Sequence, residues 1–360
     1  LLTWPLMSGI QYVSTFIARV TGKGLAANMR AFHGRPLTTV MVLLLIIANL
    51  FNIGADVAAM GAAARLVIGS GEANLYALLL AAATIALIVY VPYTKYQKVL
   101  KWLTLVLFSY VAVLFFIEIP WKDVAIGTFL PTFSFAPSFV TTFIALLGTT
   151  ISPYLFFWQA SQEVEEIETS SKLHPLLDKP SEAPVAIKDI KEDTVIGMAI
   201  SNIIAYVIIL ATTATLHAHG VLQIDSADQA AQALRPIAGD LCFVLFALGI
   251  IGTGALAIPV LAGSAAFAVA EVFGFHASLE DTPTQDKRFY GTLTVAAILG
   301  VAMIYVGLDP IKALYYSAVL NGLISAPVMV VIMLMAANRK IMGDYAVRGW
   351  WSYLGWAAIS

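Results

Sequence analysis

Charge is the scarcest resource in this sequence: Asp, Glu, Lys and Arg together make up 12% of its 360 residues, where a soluble domain carries about 25%. Hydrophobic residues make up 60%, and the formal net charge is only −2. This excludes an ordinary soluble domain, and a chain without a basic surplus offers no nucleic-acid surface. The single cysteine, Cys242, lies in an apolar run, so no intramolecular disulfide can form. No cleavable leader and no Asn-x-Ser/Thr acceptor is present, which fits a bacterial plasma membrane. The chain opens at Leu1, without a methionine and already inside an apolar segment, so it is expected to begin and end inside a larger protein. Within the apolar runs there is neither a nucleophile–base pair nor a His/Glu metal spacing, which argues against an enzyme and against a resident cofactor.

What remains is apolar runs of spanning length. A window of about 20 residues per span predicts helices over 1–18, 37–68, 74–92, 102–119, 138–160, 194–217, 240–271, 289–307 and 311–337, with a tenth from Trp350. The whole of 1–360 reads as one polytopic transmembrane domain. Sixteen Lys and Arg fall in one set of alternate loops and three (Lys122, Arg235 and Lys312) in the other. The positive-inside bias then makes 161–193 a cytoplasmic loop and 217–240 an extracellular one. The acidic start of the first (Glu163, Glu165, Glu166, Glu168) reads as a solvated linker or as the inner mouth of a cation path. A short surface helix is expected near Ala227–Leu234. His217 and His219, two apart, do not share a helix face and make a poor metal pair. By the same topology the first visible helix runs outside to inside, so a further span is expected upstream.

The stretch Gly148-Thr149-Thr150-Ile151-Ser152-Pro153-Tyr154 interrupts the fifth run. Pro153 removes a backbone donor, Gly148 weakens the preceding helix, and the three hydroxyls can satisfy the carbonyls a break would free. It is either a simple proline kink or half of a substrate site, since transporters built from inverted repeats bind their substrates between broken helices. In the second run, Asn49, Asn52 and Asp56 fall within about 60° on one face, beside small residues that admit a close neighbour. Asp56 is either a protonated side chain hydrogen-bonded to a neighbour or part of an ion or proton pathway; Arg65 lies on the opposite face. Asn321 and Ser325 share a face of the ninth run. The Asn321 amide suits a hard cation or a helix–helix hydrogen bond. Glu118 and Glu271, at span ends, are expected to be interfacial, and the glycine-rich run from Gly249 to close-pack.

The runs RVTGKGLAANMRAFHGRP, GADVAAMGAAARL and GTTISPYLFFWQASQEVEE resemble the second to sixth helices of the Nramp family of divalent metal transporters. The resemblance implies an all-α LeuT-like bundle of inverted five-helix repeats, with helices 2 to 10 and part of 11 present. The family's first helix, with its Asp-Pro-Gly-Asn ligands, would lie upstream. It further implies that Thr149, through its carbonyl, and Ser152 stand where the sixth-helix motif Ala-x-x-Met-Pro-His has its alanine and methionine metal ligands. Pro153 is kept, and Tyr154 replaces the histidine. Asp56 matches the aspartate of the proton route, while the glutamate three residues on is Ala59. Asn321 falls at or next to the tenth-helix glutamine that completes the site. Losing the thioether should relax selectivity from Mn²⁺ and Fe²⁺ toward Mg²⁺, and losing two titratable groups makes tight proton coupling doubtful. Both departures resemble the magnesium-transporting branch. The alternative is a LeuT-fold amino-acid or amine symporter, which would need a glycine-rich unwound first helix to receive a carboxylate.

Overall fold

A computed structural model of the chain describes residues 3–91, 95, 98, 102, 105–130, 134–170, 172–216, 220, 224, 226–307 and 309–359. Among the described residues there is no strand, as expected where every backbone group must be satisfied within its own segment. The principal helices are α1 (Trp4–Thr21), α2 (Leu25–His33), α3 (Arg35–Ile68), α4 (Ala73–Tyr90), α5 (Pro137–Thr150), α6 (Pro153–Thr169), α7 (Ala183–Thr215), α8 (Cys242–Phe273), α9 (Lys287–Ala302), α10 (Pro310–Ala337) and α11 (Trp350–Ala357). Their ends follow local chemistry. Pro36 opens α3, and Gly69 closes it with a left-handed φ of 74°, its N–H reaching the Arg65 carbonyl. Asp309 caps α10 by accepting from the amides of Ile311 and Lys312.

Among the described residues, seven helices are long and apolar enough to cross a membrane, counting α5–α6 as one interrupted span. Rows of exposed aliphatic side chains, such as Leu43 and Ile47 on α3 or Ile196, Ile200 and Ile203 on α7, face outward. That is a surface built for lipid rather than water. Two expected spans depart from this. Helix α1 is enclosed by the bundle and carries buried Gln11, Ser14, Thr15 and Arg19, polarity that a lipid-facing helix could not hold. The run at 102–119 contains only a 3₁₀ turn, Leu105–Leu107, and a short helix, Phe108–Val113, among the described residues. The tenth span begins at Trp350 as expected, as α11.

Helix α3 is the hub. A Cβ at Gly61 would strike Ala73 and Ala77 of α4, one at Gly54 would strike Met303 and the Gly300 carbonyl beyond it on α9, and one at Gly254 of α8 would strike Met60. The expected small-residue approaches therefore exist, and the glycine-rich run is a packing face. Around α1, α6 and α10 lies a second core, in which Tyr12 stacks on Trp351 at 4.3 Å.

Two loop readings need correction. Residues 161–193 are mostly helical: α6 continues to Thr169 and α7 begins at Ala183. The acidic run that reads as a linker in sequence has one face turned inward, where Glu165 accepts from the hydroxyl of Ser278 and the amides of Leu279 and Glu280. The connection that remains is pinned to the end of α1, with the Leu176 amide donating to the Arg19 carbonyl and the Arg19 guanidinium reaching Glu163 and Glu182, each at 3.3 Å. The helical segment from Ala227 is not a surface element either, since Ala231, Ala233 and Leu234 are buried against Tyr110 and Phe246. His217 and His219 lie outside the described residues.

Glu118 is exposed as expected, but Glu271 is not simply interfacial. Its carboxylate accepts from the Ala27 amide at 3.0 Å and from the Ser161 hydroxyl at 3.2 Å, capping the start of α2. No room is left for a side chain at Gly24 beside it. A negative group at orphan N–H donors and the positive helix end is favourable. Replacing Glu271 with alanine should cost about 1–2 kcal/mol, read as a lower melting temperature of the detergent-solubilised protein.

Candidate functional site

The predicted interruption is present and complete. Helix α5 ends at Thr150, Ile151 and Ser152 are non-helical with Ser152 extended (φ −100°, ψ 136°), and α6 starts at Pro153. The hydroxyls do what the sequence suggests. Ser152 Oγ donates to the Gly148 carbonyl at 2.6 Å, Thr149 Oγ1 to the Leu146 carbonyl at 2.7 Å, and Thr150 Oγ1 to the Leu147 carbonyl at 3.0 Å. The Thr149 carbonyl would in a continuous helix accept from residue 153, and Pro153 has no N–H to give. A backbone oxygen of that kind is a ready cation ligand. The Thr149 side chain itself is exposed and turned back on its own helix, so only its carbonyl suits the role the resemblance implies. Ser152 is 1% exposed, and a hydroxyl that donates once still has lone pairs to offer.

Gly148 has a use beyond weakening the helix. A Cβ there would collide with the Ala318 carbonyl and the Gly322 amide of α10, and a Cβ at Gly322 would collide with the Ile144 carbonyl. The two backbones cross in direct contact, one residue from Asn321. The Asn321 amide meets α3: Asn52 Nδ2 donates to Asn321 Oδ1 at 2.8 Å, and Asn321 Nδ2 donates to Asn52 Oδ1 at 3.0 Å. Of the two roles open to that amide, helix–helix pairing is therefore filled; an amide oxygen that accepts once keeps a second lone pair. Asn49 on the same stripe donates to the Leu261 carbonyl and to Ser264 Oγ of α8, leaving its own buried oxygen without a partner.

Asp56, one turn beyond Asn52, forms no ion pair or hydrogen bond among the described residues, and Arg65 is exposed elsewhere. Tyr154, in the first turn of α6, has Ser152 and the Asp56 carboxylate as its polar neighbours. Tyr154 thus lies beside Ser152 and within electrostatic reach of Asp56, and Asn321 is paired with Asn52, one turn before Asp56 on α3. Ala59, three residues beyond Asp56, is buried packing.

One feature has no signal in the sequence. Gln11 of α1 donates to the Leu155 carbonyl and to the Gln159 side chain, and Gln159 donates to Thr194. Gln159 also lines a cavity of about 850 Å³ between α1, α6 and α7, together with Glu163, Glu166, Asp189, Glu192 and Asp193. At 1.5 Å per residue, Gln159 lies roughly 10 Å along the helix from Ser152. Each glutamine alone is an unremarkable polar residue; only the packing of α1 on α6 joins them.

The chain is similar to known proteins in sequence and fold. The Nramp family model, natural resistance-associated macrophage protein-like, matches residues 1–360. A divalent metal cation transporter MntH of Klebsiella pneumoniae is 26% identical over 360 residues, covering 98% of this chain and 80% of the relative. An MntH of Deinococcus radiodurans is 23% identical over 215 residues, covering 59% and 45%. A manganese transporter of Eremococcus coleocola superposes with a TM-score of 0.74 at 17% identity, covering 99% of this chain and 76% of that one. The architecture is accordingly the LeuT-like helical bundle of a multi-pass membrane protein. The family model spans residues 1–360 and the fold agrees with it, so the chain belongs to the Nramp family.

Proposed function

We propose that the protein carries divalent metal cations, Mn²⁺ or Fe²⁺ and also Mg²⁺, through the plasma membrane by alternating access of a site at the α5–α6 break. The observation that carries this reading is the break itself: a Thr149 carbonyl that Pro153 cannot serve and the buried Ser152 hydroxyl, beside Tyr154 and within electrostatic reach of an Asp56 that has no ion-pair partner among the described residues. Carbonyl, hydroxyl and amide oxygens replace part of a cation's hydration shell, and a nearby carboxylate offsets its charge. Thr149, Ser152 and Asn321 serve as ligands; Asp56 and Tyr154 line the path for the ion or for protons. The acidic cavity below Gln159 offers a hydrated, negatively charged mouth on the side of the basic loops. A symporter of amino acids or amines fits less well, since the relatives that cover most of the chain are described as metal transporters.

The hard donor set should admit Mg²⁺. In proteoliposomes the protein should take up Mn²⁺ and Mg²⁺, and Mn²⁺ uptake with firm rejection of Mg²⁺ would overturn the relaxed selectivity. Ser152→Met should raise the preference for Cd²⁺ over Mg²⁺ by about tenfold, some 1.4 kcal/mol of differential binding, because a thioether favours soft ions. An unchanged ion profile would remove Ser152 from the ligand set. With Tyr154 and Ala59 at the family's titratable positions, uptake should proceed without acidifying the lumen, which a trapped pH dye reads directly.

A further inference from the structure

The turn between α8 and α9 holds a cluster that the transport reading does not use. His276, Asp281 and Asp286 each bring one ligand-type atom within 4.8 Å of the others. His276 Nε2 and Asp281 Oδ2 are 2.9 Å apart. Asp286 is 8% exposed and caps α9 with one oxygen, Oδ1 accepting from the Phe289 amide at 3.1 Å. Its other oxygen, Oδ2, is buried and has no hydrogen-bond partner. A helix cap needs one oxygen only, and a buried charged acceptor left without a partner costs about 1–3 kcal/mol or more. A cation held with His276 and Asp281 would satisfy it.

The surrounding turn is built to hold these groups still. Tyr290 donates its hydroxyl to the Asp281 carbonyl at 2.8 Å, the Thr282 carbonyl accepts from the amides of Gln285 and Asp286, and Gln285 Oε1 accepts from the Thr282 amide. Donor atoms sharing one ion at about 2.0–2.2 Å lie roughly 3–3.5 Å apart. The His276–Asp281 pair is already near that spacing, and the exposed imidazole can swing to bring the third ligand in. We propose that His276, Asp281 and Asp286 form a second divalent-cation site, taking a transition metal such as Zn²⁺ or Mn²⁺. One imidazole with two carboxylates prefers such borderline ions to Mg²⁺ or Ca²⁺, and three protein ligands leave a position for water. The site belongs to the turn that Glu165 ties to α6, the second half of the broken helix. It adjoins Lys287 and Arg288, on the side of the basic loops.

The test is carbethoxylation of the histidines in the whole detergent-solubilised protein, read by peptide mass spectrometry with His174 as internal reference. The break offers no histidine, so the readout is blind to ions bound there. Zn²⁺ at about ten times its half-saturating concentration should lower His276 labelling about tenfold relative to His174, with Mg²⁺ leaving it unchanged. Asp281→Asn and Asp286→Asn should each abolish this protection, the second while keeping the helix cap through its amide oxygen; unaltered His174 labelling and melting would show that both variants fold. Full labelling in the presence of Zn²⁺ and of Mn²⁺, equal protection by Mg²⁺, or protection that survives both substitutions would overturn the site.

Discussion

Replacing Gly148 with valine should prevent a stable, monodisperse fold rather than merely slow transport. The Cβ would be driven into the Ala318 carbonyl and the Gly322 amide, and backbone cannot move aside as the end of a flexible side chain can. Overpacking a fitted interior costs about 1–3 kcal/mol and occasionally more; with backbone on both sides and two further methyl groups, the upper end or beyond is expected. The gain in helix propensity from losing a glycine, roughly 1 kcal/mol at most, does not compensate. Gly197→Ala in α7 is the matched control, because nothing lies within 4 Å of its added methyl group. Only the propensity gain acts there, so this variant should melt at or above the wild-type temperature. Equal melting of Gly148→Val and wild type would show that the α5–α10 crossing is not closed as described.

The second large effect concerns Asn52 and Asn321. Either residue changed to leucine leaves the other amide buried without its partner, at a cost of about 1–3 kcal/mol. The double leucine variant removes both polar groups, and much of that loss should return, giving a coupling of about 1 kcal/mol, near the range for hydrogen bonds between membrane helices. Metal uptake should behave differently. If Asn321 also lends its oxygen to the ion, the double variant regains stability but stays at least about tenfold slower, one missing ligand contact of about 1.4 kcal/mol. Recovery of transport along with stability would make the pair purely structural and take Asn321 out of the site.

The break is legible in the sequence because its causes are local. Pro153 lacks a donor wherever it sits, and Ser152, Thr149 and Thr150 can reach carbonyls three or four residues back without help from another helix. The stripe of Asn49, Asn52 and Asp56 is legible for the same reason, since helical periodicity alone aligns it. The partners of those residues are not. Asn321 is 269 positions from Asn52, and an amide at mid-span looks the same in sequence whether it awaits an ion or another amide. The linker reading of 161–193 fails on similar grounds: a run of glutamates signals solvent unless a distant turn supplies donors, and Ser278 and Leu279 supply them to Glu165. Likewise Glu271 at a span end looks like an interfacial charge, yet α2 lays its first amides against it. That α1 is a helix follows from its own residues, but its place inside the bundle follows from what surrounds it.

By itself, then, the sequence determined that this is a membrane-embedded helical protein of the Nramp kind, with a helix interrupted between Thr150 and Pro153 and hydroxyls at the break. Composition, periodicity and backbone chemistry act over a few residues, and those the chain carries with it. The tertiary structure decided which polar groups are spent on holding helices together and which are left over. Asn52 and Asn321 satisfy each other, Arg19 is held by two glutamates, and Asp56 and the second oxygen of Asp286 are left without partners among the described residues. That division depends on which helices meet, because a buried polar group is satisfied only if a neighbouring element brings it a partner.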